Sequence, residues 1–146
     1  MNISIKTLKI KELRKLAKVT KLFILDRFKT VRCNCGISST LMSFYLNILN
    51  IKHEIHQNEF HAFLVVNNYI VDVTADQFGK NYKEIYVVKK DKIKDYIWDS
   101  EDIFYSHEDF ISYQNNKESD WPKEQILSSY KGLKEKYLDF IKEKVA

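Results

Sequence analysis

Glycine, proline and cysteine are scarce in this sequence, with three, one and two residues among 146. Three glycines cannot build a loop that cradles phosphate, which argues against a nucleotide-dependent enzyme. With one proline besides, obligatory turns are few, and most of the chain is expected in regular elements. Cys33 and Cys35 sit too close together to staple a loop, so a disulfide scaffold is excluded and a reducing compartment is expected. Long apolar runs are also missing. Lys6, Lys9, Lys11, Arg14 and Lys15 interrupt the N-terminal apolar residues, unlike a signal peptide, and no stretch reaches the length of a membrane span. The expectation is a soluble cytoplasmic protein with no membrane partner.

Aromatic residues, by contrast, are plentiful. Nine Tyr and nine Phe, in a chain that is 45% apolar, supply enough surface for a real core, and the length suits a single domain over 1–146. Charge is unevenly spread. Residues 1–35 carry ten Lys and Arg against Glu12 and Asp26, a net of +8 where the whole chain is +4. Such a segment can attract an anionic partner or simply form a solvated helix face.

Leu8, Ile10, Leu13, Leu16, Val19, Leu22, Phe23 and Leu25 recur at helical spacing, so 7–28 reads as one or two amphipathic helices, with a loop from Phe28 to Cys35. Ser38–Asn50 reads as a second helix, capped by Ser38 or Ser39. No charge occurs from Gly36 to Ile51, as expected of a central helix buried on most sides. Short strands are expected at 52–55, 60–66, 69–74 and 84–88, with Asn67-Asn68 turning the middle pair. Residues 91–116 have a weak pattern, read as short helices and loops over one side of the sheet. Trp121-Pro122, with Ser119 or Asp120 as cap, opens a terminal helix. The order predicts an α+β fold: a central buried helix packed on an antiparallel sheet, with peripheral helices.

Three residues in this frame can carry chemistry. Cys35 precedes the uncharged helix, and a thiol at a helix N-terminus meets the positive end of the dipole and unpaired N–H groups, which favour the nucleophilic thiolate and can receive an oxyanion. Small residues follow it, beginning with Gly36. His61 lies early in the strand 60–66 among apolar neighbours and needs a partner to fix its tautomer. Asp72 lies on the returning strand, within a couple of residues laterally, and a carboxylate in an apolar strand is costly unless paired. Nucleophile, base and orienter are thus Cys35, His61 and Asp72. Asn34, Gly36 and Gln77 are candidates for contacting substrate or oxyanion, Gln57 and Asn58 weaker ones, Asp76 a weaker orienter, and Cys33 an alternative nucleophile.

The run Cys35-Gly36-Ile37-Ser38-Ser39, with Met42, Leu46 and Leu49 along the helix, resembles the nucleophile helix of the papain-like and transglutaminase-like cysteine hydrolase superfamily. His61-Ala62-Phe63-Leu64-Val65 and Ile70-Val71-Asp72-Val73-Thr74-Ala75-Asp76-Gln77-Phe78 resemble the His and Asp strands of its small bacterial and phage members. The resemblance covers 30–80, the catalytic core segment. It implies a papain/transglutaminase-like fold and attack on an amide, ester or thioester carbonyl of a protein or peptide through an acyl-enzyme. The acyl group then passes to water in a peptidase or deamidase, or to an amine in a transglutaminase. Phe63 stands where members often carry Trp, and Asn50 where many carry Gly.

Other chemistries fit less well. Cys33, Cys35, His53, His56 and His61 are numerous enough for zinc, but Cys-x-Cys is the wrong spacing and no second Cys pair exists, so no metal or cofactor is expected. The alternative reading is a non-catalytic module that binds nucleic acid or protein through the basic N-terminal helices. The basic stretch lacks zinc-finger, glycine-rich and interleaved aromatic signatures, so nucleic acid is not the expected partner.

Overall fold

The computed structural model describes residues 8–32, 34–116 and 123–145. The first apolar stripe folds as one helix, α1 (Ile10–Phe28), burying Leu13, Leu16, Ala17, Val19, Phe23 and Ile24. Glu12 closes its first turn on the Lys9 N–H (3.2 Å), and Lys29 ends it in the left-handed region at φ 63°. Lys11, Arg14, Lys15 and Lys18 point to solvent. The basic segment proposed for an anionic partner is thus, from residue 9 onward, largely the outer face of a core helix; residues 1–7 lie outside the described residues. Lys21 is the exception. It is buried, pairs with Asp76 (2.8 Å) and donates to the Glu84 carbonyl (2.7 Å).

Helix α2 (Cys35–Ile48) begins three residues before the expected Ser38. Neither Ser38 nor Ser39 caps it. Ser38 Oγ bonds back to the Cys35 carbonyl (3.1 Å), and Thr40 Oγ1 to that of Gly36 (2.8 Å), as hydroxyls inside a helix do. Asn34 takes the cap position, so Cys35 is the first helical residue. As its lack of charge predicts, α2 is central: Leu41, Met42 and Leu46 are almost wholly buried, and truncating one to Ala is expected to cost about 2–5 kcal/mol. Beyond its end Asn50 has φ 61°. Asn enters this conformation more readily than other residues with a Cβ, so it fills a position that suits Gly.

Five strands, β1 (Glu54–Gln57), β2 (Ala62–Val66), β3 (Tyr69–Asp72), β4 (Tyr86–Lys89) and β5 (Asp102–Phe104), form an antiparallel sheet in the order β4-β3-β2-β1-β5. Asn67 and Asn68 both have positive φ (49° and 67°), the signature of a type I′ turn, and lock Leu64 opposite Val71 and Val66 opposite Tyr69. The short edge strand β5 has no counterpart in the sequence reading. Two of its three residues, including Ile103, are exposed, so no alternation marks it.

The sheet is covered on both faces. Ile55, Ala62, Leu64, Val66 and Val71 pack under α1, α2, α3 (His107–Asn116) and α4 (Lys123–Val145). Phe63, Val65 and Ile70 pack beneath Ala75, Ile97 and Trp98, carried by the 3-10 turns 75–78 and 96–98. Tyr137 ties α4 to α1, with its hydroxyl 2.7 Å from Thr20 Oγ1 and its ring edge-on to Phe23. The expected cap at Ser119 or Asp120, with Trp121-Pro122, lies outside the described residues. Helices packed on a five-stranded antiparallel sheet make this a mixed α+β fold. Among the described residues no helix is long and apolar enough to cross a membrane.

Candidate active site

Because α2 lies on β1 and β2 through its apolar face, its first residue is held against the core. Cys35 is half-buried and is the free thiol of the described residues. Cys33 lies outside them.

His61 stands immediately before β2 rather than within it, and a dense turn places it. The Asn58 side-chain oxygen accepts the N–H of Phe60 (3.1 Å) and of His61 (2.8 Å). Asn58 N and Gln57 Nε2 both donate to the His61 carbonyl at 3.0 Å. The Asn58 amide nitrogen is itself anchored on the carbonyls of Ile97 and Asp99, at 2.9 Å each. Gln57 and Asn58, weighed from sequence as substrate contacts, therefore hold the histidine's backbone.

The β2–β3 register then brings Asp72 to the ring. One step beyond the Leu64–Val71 pair, Asp72 faces Phe63, so His61 is its diagonal neighbour on the same face of the sheet. Asp72 Oδ2 lies 2.6 Å from His61 Nε2, and the two residues are 2% and 0% exposed. The carboxylate has other partners: Trp98 Nε1 donates to Oδ2 (2.9 Å), Thr74 N to Oδ1 (2.9 Å) and Thr74 Oγ1 to Oδ1 (3.4 Å). All of these are donors, so the carboxylate is acceptor throughout and His61 Nε2 carries the hydrogen. The ring plane is fixed by Phe63, stacked at 6.0 Å, and by Phe78, edge-on at 5.0 Å.

That leaves Nδ1. It is buried and has no hydrogen-bond partner of normal geometry. Burial pushes the imidazole down, but the hydrogen bond to Asp72, the interaction with the Cys35 sulfur and the negative charges of both raise it to about 9. The imidazolium is therefore the favoured form at neutral pH, flanked by a fixed carboxylate and a sulfur. Such a site can hold a thiolate, exchange a proton through Nδ1 and keep the ring in place while doing so.

The remaining candidates are distributed as follows. Asn34 is buried at the cap of α2 and its amide nitrogen donates to the Thr30 carbonyl (2.8 Å), closing the turn before Cys35. Gly36 is the second residue of α2. Gln77 lies in the turn 75–78, with its backbone N–H on the Thr74 carbonyl (3.1 Å). Asp76, the weaker orienter, is engaged by Lys21. Thr74 binds the Asp72 carboxylate through both its N–H and its hydroxyl. Trp98 has no signal in the sequence beyond being a buried indole that needs an acceptor. Among the described residues no group of three or more His, Cys, Asp or Glu is placed to hold a metal ion.

The chain matches no protein-family model, no curated protein and no solved structure. The reading of its function therefore rests on this geometry and on the motifs that point to it.

Proposed function

We propose that this protein is a thiol-dependent acyl-transfer enzyme or hydrolase of the papain/transglutaminase-like kind, acting on an amide, ester or thioester carbonyl of a protein or peptide in a reducing, cytoplasmic setting. The observation that carries the reading is His61: a wholly buried imidazole clamped to Asp72 through Nε2, with Nδ1 unpaired and the Cys35 sulfur acting on the ring.

In this mechanism His61 and Cys35 exchange one proton and form an imidazolium–thiolate pair. Cys35 Sγ attacks the carbonyl carbon, and first-turn N–H groups of α2, which lack partners within the helix, receive the developing oxyanion. The tetrahedral species collapses to a thioester as His61 gives its proton to the leaving amine or alcohol. Water or an acceptor amine then attacks the thioester, passes its proton to His61 and releases the acyl group, regenerating the thiolate. Asp72 stabilises the imidazolium at each stage and prevents the ring from turning.

Iodoacetamide labelling followed residue by residue across pH tests this. Cys35 is expected to react fast below neutral pH, and the His61→Ala variant to react slowly, with the pH dependence of an ordinary thiol near 8.5. Slow labelling in the native protein, unchanged by the substitution, would instead favour a non-catalytic binding module.

A further inference from the structure

A second histidine stands between a hydroxyl and a carboxylate. His56, in β1, is 0% exposed, and its ring packs on Phe63, as that of His61 does. Its two nitrogens are both engaged. Nε2 lies 2.8 Å from Glu54 Oε1, two residues earlier on the same face of the strand, and Nδ1 is hydrogen-bonded to Ser100 Oγ. Ser100 is exposed, in the loop that leads into β5. The Glu101 N–H on the Gln57 carbonyl (3.1 Å) pins that loop beside β1.

The hydrogens can be assigned. The Glu54 carboxylate only accepts, so Nε2 carries the ring hydrogen. Burial holds the imidazole below its ordinary value, and Lys90 adds to the fall, against the hydrogen bond and charge of Glu54. The ring is then neutral, Nδ1 offers a lone pair, and the Ser100 hydroxyl donates to it. A solvent-facing hydroxyl thus points its proton at a dry, neutral base whose tautomer is fixed from behind. The exposed residues around it, Asp99, Glu101 and Asp102, are all acidic.

We propose that Ser100 is a second nucleophile of this protein, with His56 as its base and Glu54 as the positioning residue, taking the acyl group of cationic esters. This site shares no residue with the thiol centre and does not rest on the thiol-enzyme reading. As Oγ bonds to the ester carbon, its proton passes to Nδ1. The ester C–O bond then breaks, and the alcohol leaves with that proton. Water releases the acyl group by the same steps in reverse, its proton returning to Ser100 through His56.

The probe is p-nitrophenyl 4-guanidinobenzoate, a cationic activated ester, with the acyl mass located residue by residue by mass spectrometry in the native protein. Ser100 is expected to carry it, at a rate that climbs with pH to a plateau and has its midpoint below the ordinary 6.5 of a histidine. His56→Gln should slow this on the order of 10²-fold or more. Glu54→Gln, at the half-exposed end of the site, tests the claim without opening the core. It should slow acylation less and move the midpoint to still lower pH, which a purely structural carboxylate would not do. Neutral p-nitrophenyl benzoate should react more slowly at Ser100, the gap narrowing with added salt. An unmodified Ser100 overturns the proposal, and so does acylation whose rate and midpoint are unchanged in Glu54→Gln. Equal rates with the two esters overturn the preference for positive charge. Acyl mass on Cys35, or its absence there, judges the thiol reading alone.

Discussion

Four histidines are buried in this protein, and they divide into two groups by what surrounds them. Burial lowers three. His53 is lowered, with the Ser43 hydroxyl and the Ile51 carbonyl as its hydrogen-bond partners among the described residues. His56, between Ser100 and Glu54, is lowered despite the Glu54 carboxylate, with Lys90 adding to the fall. His107, against Asn47 and Phe44, is lowered despite Glu108, with Lys134 and His53 adding to the fall. The carboxylates of Glu54 and Glu108 are 36% and 70% exposed, so water weakens what they offer. At His61 the carboxylate is 1% exposed, and the Cys35 sulfur acts on the ring in the same sense. A dry anion outweighs the burial of the ring; a wet one does not. This difference separates a histidine kept neutral from one suited to hold a proton.

The severest way to break the contrast is to remove the dry anion. Asp72→Ala leaves a buried imidazole and three donors without their acceptor, Trp98 Nε1, Thr74 N and Thr74 Oγ1, and is expected to cost about 3–5 kcal/mol by urea unfolding. A loss no larger than that of an exposed carboxylate would mean that the pair contributes little.

A pH series sharpens the comparison. His61, raised to about 9, contributes stability that is fully present below its unfolded value of 6.5 and is lost as the pH climbs through about 9. His53, His56 and His107 work in the opposite sense: their contribution is present above 6.5 and is lost as the pH falls below it. Thermal melts from acid to alkaline pH should therefore decline on both sides, and His61→Asn should flatten only the alkaline side. An alkaline decline that survives the substitution would assign it to other groups.

The smallest effect expected is at Asn50. Asn50→Gly should change stability by no more than a few tenths of a kcal/mol, whereas Asn50→Val, forcing a branched side chain into the left-handed region, should cost about 1–2 kcal/mol in the same unfolding measurement. Equal effects would mean that the helix end relaxes.

Much of the frame was legible in the sequence because its signals are local. The uncharged run after Cys35 announces a buried helix, and Asn67-Asn68 between two apolar runs announces a hairpin, which in turn brings Asp72 within reach of His61. The start of α2 was misplaced because Ser38 and Ser39 look like caps, whereas inside a helix hydroxyls turn back on preceding carbonyls. Trp98 was not legible as a partner of Asp72. Its bond to that carboxylate spans 26 residues, and no spacing rule connects the two. The use of Asn58 as a backbone anchor is not legible either, because it depends on the carbonyls of Ile97 and Asp99, supplied from a distant turn.

The tight turn at Asn67-Asn68 has a kinetic consequence. His61 and Asp72 are 11 residues apart and belong to one hairpin, a unit of the kind that zips within microseconds. The thiol reaches them only through docking of α2, a non-local event that closes a larger loop and is slower. His61 and Asp72 can therefore pair before Cys35 arrives, and a chain caught with α2 undocked would keep its histidine clamp without the thiol in place. Burial of Cys35 is thus a clock for the last stage of folding.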